Sequence, residues 1–285
     1  MGSALTTSLN QQGFDVKQLV RGEPGSTQQI RWNPQDSEIP IAAIEEADIV
    51  INLAGASIAG GWWTQKRKGQ IMESRVQSTT TLAKAMASAT NKPSLFISAS
   101  AVGYYGDRPG EVLDESADRG EIFLSHVCEE WERGANAAKD AGVRVVHPRF
   151  GVVLSGKGGM LPLISLPFKF FLGGKIGGNQ HMAWIDLQDL VRIFDHIIDT
   201  ENLQGPVNAV APQAPTNAEF TTAMAQAIGR PAVIPVPARV AGILGGQLAK
   251  ELLLPDQNVT PRVLQQSGFE FEYPNMQASL KNAFG

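Results

Sequence analysis

The chain has 285 residues, of which 43% are hydrophobic and 18% are charged, and its formal net charge is −4. This length and composition are typical of a soluble globular protein with one large core, or with a main domain and a small appendage. No cluster of Lys and Arg with interleaved aromatic residues occurs, which excludes nucleic acid as an expected partner. We expect no contact with a membrane, because the longest apolar run, residues 161–172, is broken by two prolines and a lysine.

The cysteine and histidine content argues against disulfides and metal sites. The single cysteine, Cys128, excludes an internal disulfide and a cysteine-based zinc site. The four histidines lack the spacing of metal ligands; they are His126, His147, His181 and His196. No charged-then-apolar signal sequence is recognisable, so we expect a reducing, cytoplasmic location and no bound metal.

The first residues are typical of the middle of a βαβ unit. Residues 3–12 are predicted to form a short helix that ends at Gly13, and residues 15–20 are predicted to form a strand. A helix followed by a strand is what comes after the first strand of such a unit. Gly2 would then be the last glycine of a phosphate-binding loop. The alternative is that the fold simply starts with a helix.

Strands and helices alternate through the middle of the chain. Helices are predicted at 41–46, 64–89 with a break near 73–74, and 121–141, and strands are predicted at 48–52, 94–99 and 143–154. This alternation predicts an α/β fold of the Rossmann type, a doubly wound parallel sheet with flanking helices.

Two of these strands end abruptly in small and polar residues, at Asp48–Gly55 and Leu95–Gly106. In open α/β sheets ligands bind at the carboxyl ends of the strands, so chemistry is expected there. The residues at these positions are Asn52, Gly55, Ser98, Ser100, Tyr104 and Tyr105. The alternative is that the glycines only turn the chain and the serines only cap.

After Ser155 the chain becomes rich in glycine, which predicts a mobile lid or a substrate pocket. Asp186 is predicted to cap a helix that runs to Asp199, residues 216–219 form a capping box, and Thr260 is expected to cap a helix with Pro261 at its first position. The tail is predicted to be helical, with one extended piece at 269–273.

We divide the chain into three regions. Residues 1–154 are predicted to be a dinucleotide-binding Rossmann domain without its first strand. Residues 155–236 are a pocket region with returning Rossmann elements, and residues 237–285 are a small, mostly helical C-terminal domain.

The chain resembles the short-chain dehydrogenase/reductase superfamily in its extended, NAD-dependent epimerase/dehydratase-like form. The motifs of an atypical branch carry the resemblance: 52–55, Trp63-Thr64, Ser74-Arg75, 98–106, 148–154, 183–186 and 268–274. The last motif is similar to the C-terminal domain of unknown function that this branch carries. The resemblance spans nearly the whole chain, and it implies a Rossmann-type fold that binds NADP, with NAD possible.

The resemblance also implies a set of cofactor-binding residues. They are Gly2, Ser3, Asn52, Leu53, Ala54, Gly55, Arg75, Ser98, Ala99, Pro148 and Gly151. Arg21 follows the 15–20 strand at the place where an acidic residue would hold a ribose hydroxyl, and an arginine there suits a 2′-phosphate. Glu23, two residues further on, tempers this preference for NADP.

The chain departs from the superfamily in two respects. The usual first strand and Gly-x-x-Gly-x-x-Gly loop are represented at most by Gly2, and we expect the sheet to be destabilised without them. The usual Tyr-x-x-x-Lys pair is also missing: counting back from Glu132 places Leu124 and Cys128 at its positions.

Four residues are candidates for catalysis. Ser100 would donate a hydrogen bond to a substrate oxygen, or alternatively satisfy backbone groups. Tyr104 or Tyr105 would donate a proton if a nearby cation lowered its pKa from about 10, or would otherwise form an aromatic wall. His126 would supply acid–base chemistry, or be a partly exposed helix residue.

Three further residues have mainly structural interpretations. Cys128 is predicted to be a buried, inert thiol rather than a nucleophile. His181 and Trp184 are expected to shape the far wall of the pocket, with a structural role favoured for Trp184.

Two functional hypotheses follow. The first is an NADP(H)-dependent oxidoreductase or epimerase with an unknown small-molecule substrate, acting as a monomer or homodimer. The second is a dinucleotide-binding sensor or scaffold without turnover, which the missing Tyr and Lys favour.

Overall fold

The central sheet is parallel, in agreement with the predicted alternation. The computed structural model describes residues 1–59, 61–156 and 158–284. Its helices are α1 (Gly2–Gln11), α2 (Ile41–Glu45), α3 (Gln65–Ser88), α4 (Phe123–Arg133), α5 (Asn136–Asp140), α6 (Leu161–Lys169), α7 (Leu187–Asp199), α8 (Asn217–Ile228), α9 (Ala238–Leu244), α10 (Gly246–Leu252), α11 (Arg262–Gln266) and α12 (Met276–Phe284). A 3-10 turn covers Val102–Tyr105.

The strands are short and all of their ladders are parallel. They are β1 (Gln18–Val20), β2 (Gln29–Arg31), β3 (Ile49–Asn52), β4 (Leu95–Ser98), β5 (Ser100–Ala101), β6 (Val112–Leu113), β7 (Arg144–Phe150), β8 (Val152–Leu154), β9 (Trp184–Asp186), β10 (Gly205–Ala209) and β11 (Asn258–Val259). The main sheet has the order β10-β7-β4-β3, and β5 also pairs with β7. This parallel sheet with flanking helices confirms the predicted α/β class.

Apolar clusters cover both faces of the sheet, because parallel strands are buried on both sides. On one face, Ile97 and Val146 pack with α1 and α7, including Phe194. On the other face, Phe96 and Val145 pack against α3 and α5. All strands of the main sheet therefore end at one common edge, where the polar residues that follow them meet.

Strands β1 and β2 form a separate pair. Among the described residues β1 pairs only with β2, and β3 pairs only with β4. The two units nevertheless lie side by side, since Val16 packs into the cluster that contains Ile51, and Leu19 packs into the one that contains Val50. Within the described residues, the edge of β1 and the edge of β3 that face each other therefore make no backbone ladder with any strand.

Several local predictions are confirmed. Thr64 caps α3 by accepting a hydrogen bond from the backbone N–H of Arg67, at 3.2 Å. Asp186 caps α7. The capping box of Thr216 and Glu219 is formed in full at the start of α8. In each case the interacting residues are at most three positions apart in the chain, and sequence patterns predict such local interactions well.

Three local predictions are wrong. Helix α3 has no break near 73–74 and is continuous from Gln65 to Ser88; the hydroxyl of Ser74 donates to Ile71 O within it, at 3.2 Å. The predicted helix 121–141 is divided into α4 and α5 at Gly134 and Ala135. Thr260 does not cap α11; it extends the β6–β11 pairing by donating its backbone N–H to Leu113 O, at 2.8 Å.

The C-terminal region is mostly helical, as expected, and is held against the Rossmann part by polar contacts. The predicted extended piece at 269–273 is not a strand. Instead, the buried carboxylate of Asp189 accepts hydrogen bonds from the backbone N–H groups of Glu272, at 2.9 Å, and Tyr273, at 2.8 Å. Across the ranges that the structure describes, no helix combines the length and the hydropathy that crossing a membrane requires.

Candidate functional site

The register of three adjacent strands brings polar residues into one row. Ser100 of β5 and Asn208 of β10 both lie opposite Arg149 of β7. All three side chains are buried, with exposed fractions of 0% for Ser100 and Asn208 and 3% for Arg149. Buried polar groups must be hydrogen-bonded to avoid a desolvation penalty, so this row needs partners from outside the sheet.

Glu132 of α4 supplies the charge that this row requires. Its Oε1 accepts hydrogen bonds from Ser100 Oγ at 2.7 Å and from Arg149 Nε at 2.8 Å, and its Oε2 accepts from Arg149 Nη2 at 2.9 Å. Burial lowers the pKa of Arg149, but the bonds to Glu132 outweigh this effect and raise it above its ordinary value. The result is a bidentate, largely buried ion pair.

Tyr105 extends this network towards β10. Its hydroxyl donates to Asn208 Oδ1 at 2.7 Å and accepts from Arg149 Nη1 at 3.0 Å. Burial raises the pKa of Tyr105 to about 12, although Arg149 acts in the opposite direction. A proton donor at neutral pH would need a lowered pKa, so the shift at Tyr105 is opposite to the one that its predicted catalytic role requires.

Tyr104 differs from its neighbour because it is only partly buried. The guanidinium carbon of Arg149 lies 3.5 Å from the centroid of the Tyr104 ring, in a cation–π contact. The ring also packs edge-on against Tyr105, with centroids 5.4 Å apart. Of the hydroxyl groups of Ser100, Tyr104 and Tyr105, only that of Tyr104 belongs to a side chain that is not fully buried.

His126 and Cys128 lie on opposite sides of α4. His126 is exposed, with its Nε2 3.5 Å from Arg119 Nη1, and it points away from the network. Cys128 is buried and its Sγ donates to Ala101 O at 3.5 Å. Burial raises the pKa of this thiol to about 12, which agrees with an inert thiol.

The end of β3 is fixed by a second polar cluster. The buried amide of Asn52 donates to Thr79 Oγ1 at 2.8 Å, and its Oδ1 accepts from the backbone N–H of Ala54 at 3.0 Å. The hydroxyl groups of Thr79 and Ser98 lie 3.4 Å apart. Ala99 is also buried, and its N–H donates to Asn52 O at 3.0 Å. Asn52 and Ser98 therefore fix the loop that follows β3 at the carboxyl edge of the sheet, and Leu53 is partly buried in the core.

Gly55 is exposed and lies against Arg75. A Cβ added at Gly55 would lie 3.1 Å from the guanidinium carbon of Arg75. Arg75 donates to Ala56 O at 3.1 Å and lies 4.9 Å from the Trp131 ring. Burial lowers the pKa of Arg75. This arginine of α3 is thus partly buried and packs against the loop that follows β3.

Pro148 and Gly151 lie in the packed part of the β7–β8 segment. Pro148 is buried opposite Val207 of β10. A Cβ added at Gly151 would lie 2.8 Å from backbone atoms of Ala183 and Trp184, so this position must be a glycine for the β7–β8 strand to pass β9. Both residues set the path of the strand that carries Arg149.

The residues predicted to hold the nucleotide phosphates lie apart from this network. Gly2 and Ser3 form the exposed first turn of α1, and a Cβ added at Gly2 would meet no atom within 4 Å. Arg21 is exposed beyond β1, and within the described residues it makes no hydrogen bond or ion pair. Glu23, which tempered the NADP expectation, instead pairs with Arg31 at the end of β2.

His181 and Trp184 are both held in place by polar contacts. His181 Nδ1 lies 2.8 Å from Asp256 Oδ1, and the Trp184 indole N–H donates to Gln213 O at 2.8 Å. Trp184 is 1% exposed, in agreement with a structural role. His181 thus joins the segment that precedes β9 to the C-terminal region.

Sequence reasoning missed several residues of this site. They are Glu132 as a partner of Ser100, Arg149, Asn208 and Gln257. One signal for Arg149 was available, since it lies near the end of a predicted buried strand, where a charged residue must be paired. Over the described part of the chain, no group of three or more His, Cys, Asp and Glu residues could hold a metal ion.

Comparison with known proteins agrees with this architecture. Residues 1–131 match the NAD dependent epimerase/dehydratase family, and residues 236–283 match a domain of unknown function, DUF1731. The epimerase family protein Mb2239 of Mycobacterium bovis is 39% identical over 281 residues, which are 98% of this chain and 93% of that protein.

Solved structures give the same result. The crystal structure of the human epimerase family protein SDR39U1 (isoform 2) with NADPH has a TM-score of 0.90 and 33% identity, covering 99% of this chain and 95% of that chain. The UDP-glucose 4-epimerase of Thermus thermophilus, in complex with NAD, has a TM-score of 0.76 over 98% of this chain and 93% of that one. At 17% identity, the second likeness concerns the fold alone. The chain belongs to the NAD-dependent epimerase/dehydratase family and carries a DUF1731 domain in its C-terminal region.

Proposed function

We propose that this chain binds NADP(H) across the carboxyl edge of its sheet and acts as an oxidoreductase or epimerase on a small polar substrate. The observation that carries the proposal is the row of polar residues at the ends of β5, β7 and β10, beside the open Gly55 loop. The human relative crystallised with NADPH supports the choice of cofactor.

The residues present fit such a cofactor. The first N–H groups of a helix and its dipole bind phosphate, and α1 offers an exposed, uncrowded first turn at Gly2 and Ser3. Arg21 is free to pair with a 2′-phosphate, because the nearby carboxylate of Glu23 is already paired with Arg31. When bound, the cofactor would supply hydride chemistry.

The residues of the crevice have different parts in this proposal. Tyr104 is assigned the contact with the substrate because it is partly buried, and the guanidinium of Arg149 packs on its ring. Ser100 donates its hydroxyl proton to Glu132, so towards any other group its oxygen can act only as a hydrogen-bond acceptor. A substrate hydroxyl could donate to Ser100 only after a local opening of this buried side chain.

Cofactor binding is tested by fluorescence titration of NADPH and NADH. We expect NADPH to bind at least tenfold more tightly than NADH, and Arg21→Ala to remove this preference without weakening NADH binding. Lys139→Ala, which removes an exposed cation on α5, is the matched control. Equal affinity of the unmodified protein for the two cofactors would contradict the role of Arg21.

A second candidate function is a dinucleotide-binding sensor without turnover. It is favoured by the absence of tyrosine and lysine at positions 124 and 128 and by the complete burial of the hydroxyl groups of Ser100 and Tyr105. A panel of aldehydes, ketones and nucleotide sugars separates the two functions. Cofactor oxidation that depends on substrate and is lost in Tyr104→Phe supports the enzyme, whereas tight NADPH binding with no turnover on the whole panel supports the sensor.

A further inference from the structure

One stretch of the C-terminal region follows the loop that carries Tyr104 and Tyr105 almost from end to end. This bracing segment comprises residues 251–263, from α10 through β11 to α11. It belongs to the part of the chain that matches the domain of unknown function. It contacts the loop both through the loop backbone, as at Val102, Gly106 and Gly110, and through the side chains of Asp107, Asp114 and Glu115.

Gln257 makes the contact closest to the candidate site. Its Nε2 donates to the carbonyl oxygens of Val102, at 3.2 Å, and Gly106, at 3.0 Å. These two carbonyls mark the beginning and the end of the 3-10 turn that contains both tyrosines. The backbone N–H of Gln257 in turn donates to His181 O at 3.1 Å, which fixes Gln257 itself. A single amide group therefore ties together the two ends of the turn.

Neighbouring residues of the bracing segment hold the rest of the loop. Asp256 accepts from the N–H of Gly110 at 3.2 Å, and β11 pairs with β6. Thr260 O accepts from Asn208 Nδ2 at 2.9 Å, which joins the segment directly to the network of Tyr105 and Arg149. The segment thus reaches the site both through the backbone of the turn and through the buried network.

Glu251, at the other end of the segment, caps the helix that carries Glu132. Its carboxylate is 7% exposed, and Oε2 accepts from the N–H of Leu124 in the first turn of α4, at 2.9 Å. A carboxylate at a helix N-terminus satisfies a free donor and interacts favourably with the helix dipole. The segment therefore holds α4 and the tyrosine turn at a fixed distance from each other.

We propose that the C-terminal domain is an integral part of the candidate site, with Gln257 and Glu251 as the positioning residues that set the tyrosine turn against α4. This inference rests on the proposed function, because it assumes that the turn lines the cofactor and substrate crevice. Gln257 acts through the turn and does not itself contact the reacting atoms.

The first test is hydrogen exchange of the turn, which needs no ligand. Gln257→Leu keeps the volume of the side chain but cannot donate, and Gln266→Ala is the control because Gln266 is exposed in the same region. We expect the amides of residues 102–106 to exchange at least tenfold faster in Gln257→Leu, while those of β4 keep their protection. Unchanged exchange of the turn would overturn the proposal.

If Gln257→Leu does not fold, the unmodified protein still provides a test. The amides of the turn and those of β11 should then open together, with opening constants that agree within threefold as denaturant is added. Opening of the turn well before β11 would show that the segment does not hold it.

The second test asks whether the turn is positioned for a ligand. We expect Gln257→Leu to bind NADPH within twofold of the normal affinity, since the phosphate contacts are elsewhere, but to lose at least half of the fluorescence enhancement of the bound nicotinamide. If the turn exchanges faster in Gln257→Leu but the nicotinamide fluorescence is unchanged, Gln257 has only a structural role, and the proposal is overturned. Absence of NADPH binding in the unmodified protein would refute the proposed function instead, whereas the exchange result would still decide whether the segment braces the turn.

Discussion

The guanidinium of Arg149 holds both carboxylate oxygens of Glu132, at 2.8 and 2.9 Å, in a pair whose side chains are 4% and 15% exposed. This pair joins α4 to the centre of the sheet and supports the hydroxyl groups of Ser100 and Tyr105. Arg149 and Glu132 are therefore paired with each other and buried.

Breaking this pair should be costly. Glu132→Gln leaves the buried guanidinium of Arg149 without a counter-charge, and removing one partner of a buried pair typically costs about 3–5 kcal/mol. We expect chemical denaturation to show a free energy of unfolding lower by about 3 kcal/mol. Glu130→Gln, whose carboxylate makes only a surface pair with Arg133, should change it by less than about 1 kcal/mol. If the two substitutions lower the free energy of unfolding by similar amounts, the buried pair contributes no more to stability than the surface pair.

Tyr105 should make the protein sensitive to high pH. Its pKa is about 12 in the folded protein because of burial, whereas an unfolded tyrosine titrates near 10. Between these values the unfolded state binds fewer protons than the folded state, so the free energy of unfolding must fall as pH rises from about 10 to 12. Absorbance at 295 nm should show one tyrosine ionising late, and this step should be missing in Tyr105→Phe. A late step that persists in Tyr105→Phe would assign it to another residue.

Cys128 should be chemically silent in the folded protein. Burial raises its pKa to about 12, so almost no thiolate is present at neutral pH, and the thiolate is the reactive form. We expect a thiol reagent such as DTNB to react at least a hundredfold more slowly with native protein than with protein in guanidinium chloride. Because the chain has one cysteine, the signal needs no correction for other thiols. Rapid labelling of the native protein would contradict the burial of this residue.

The facing edges of β1 and β3 predict a gain in stability from an added strand. Unpaired strand edges leave backbone N–H and C=O groups without ladder partners, here on the strands that carry Leu19 and Val50. A chain with a β-strand and a short Gly-rich loop fused ahead of Met1 should melt roughly 10 °C higher, since filling the gap adds burial worth several kcal/mol. The control carries a fused Gly/Ser segment of equal length. Equal melting temperatures of the two fusions would show that a strand does not enter this gap.

The sequence by itself predicts the parallel sheet and the edge of it at which we propose the site. The runs that become β3, β4 and β7 are apolar and β-branched, and the first two end in polar residues. These are local properties that require no knowledge of distant contacts. The same holds for the caps at Thr64 and Thr216, which depend on residues three positions away. Local patterns failed where a helix depends on its surroundings, as at Thr260, whose backbone is used by the pairing of β6 with β11.

Only the tertiary structure decides which polar groups of the site are free. Ser100 and Tyr105 carry the hydroxyl groups that a sequence comparison favours, yet the partners that bury them come from remote parts of the chain. Glu132 is 32 residues from Ser100, Asn208 is 103 residues from Tyr105, and Gln257 is 155 residues from Val102. Pairings over such separations are set by how helices and the C-terminal domain pack on the sheet. Because burial and pairing determine the pKa and availability of a hydroxyl group, the chemistry of this site depends on that packing.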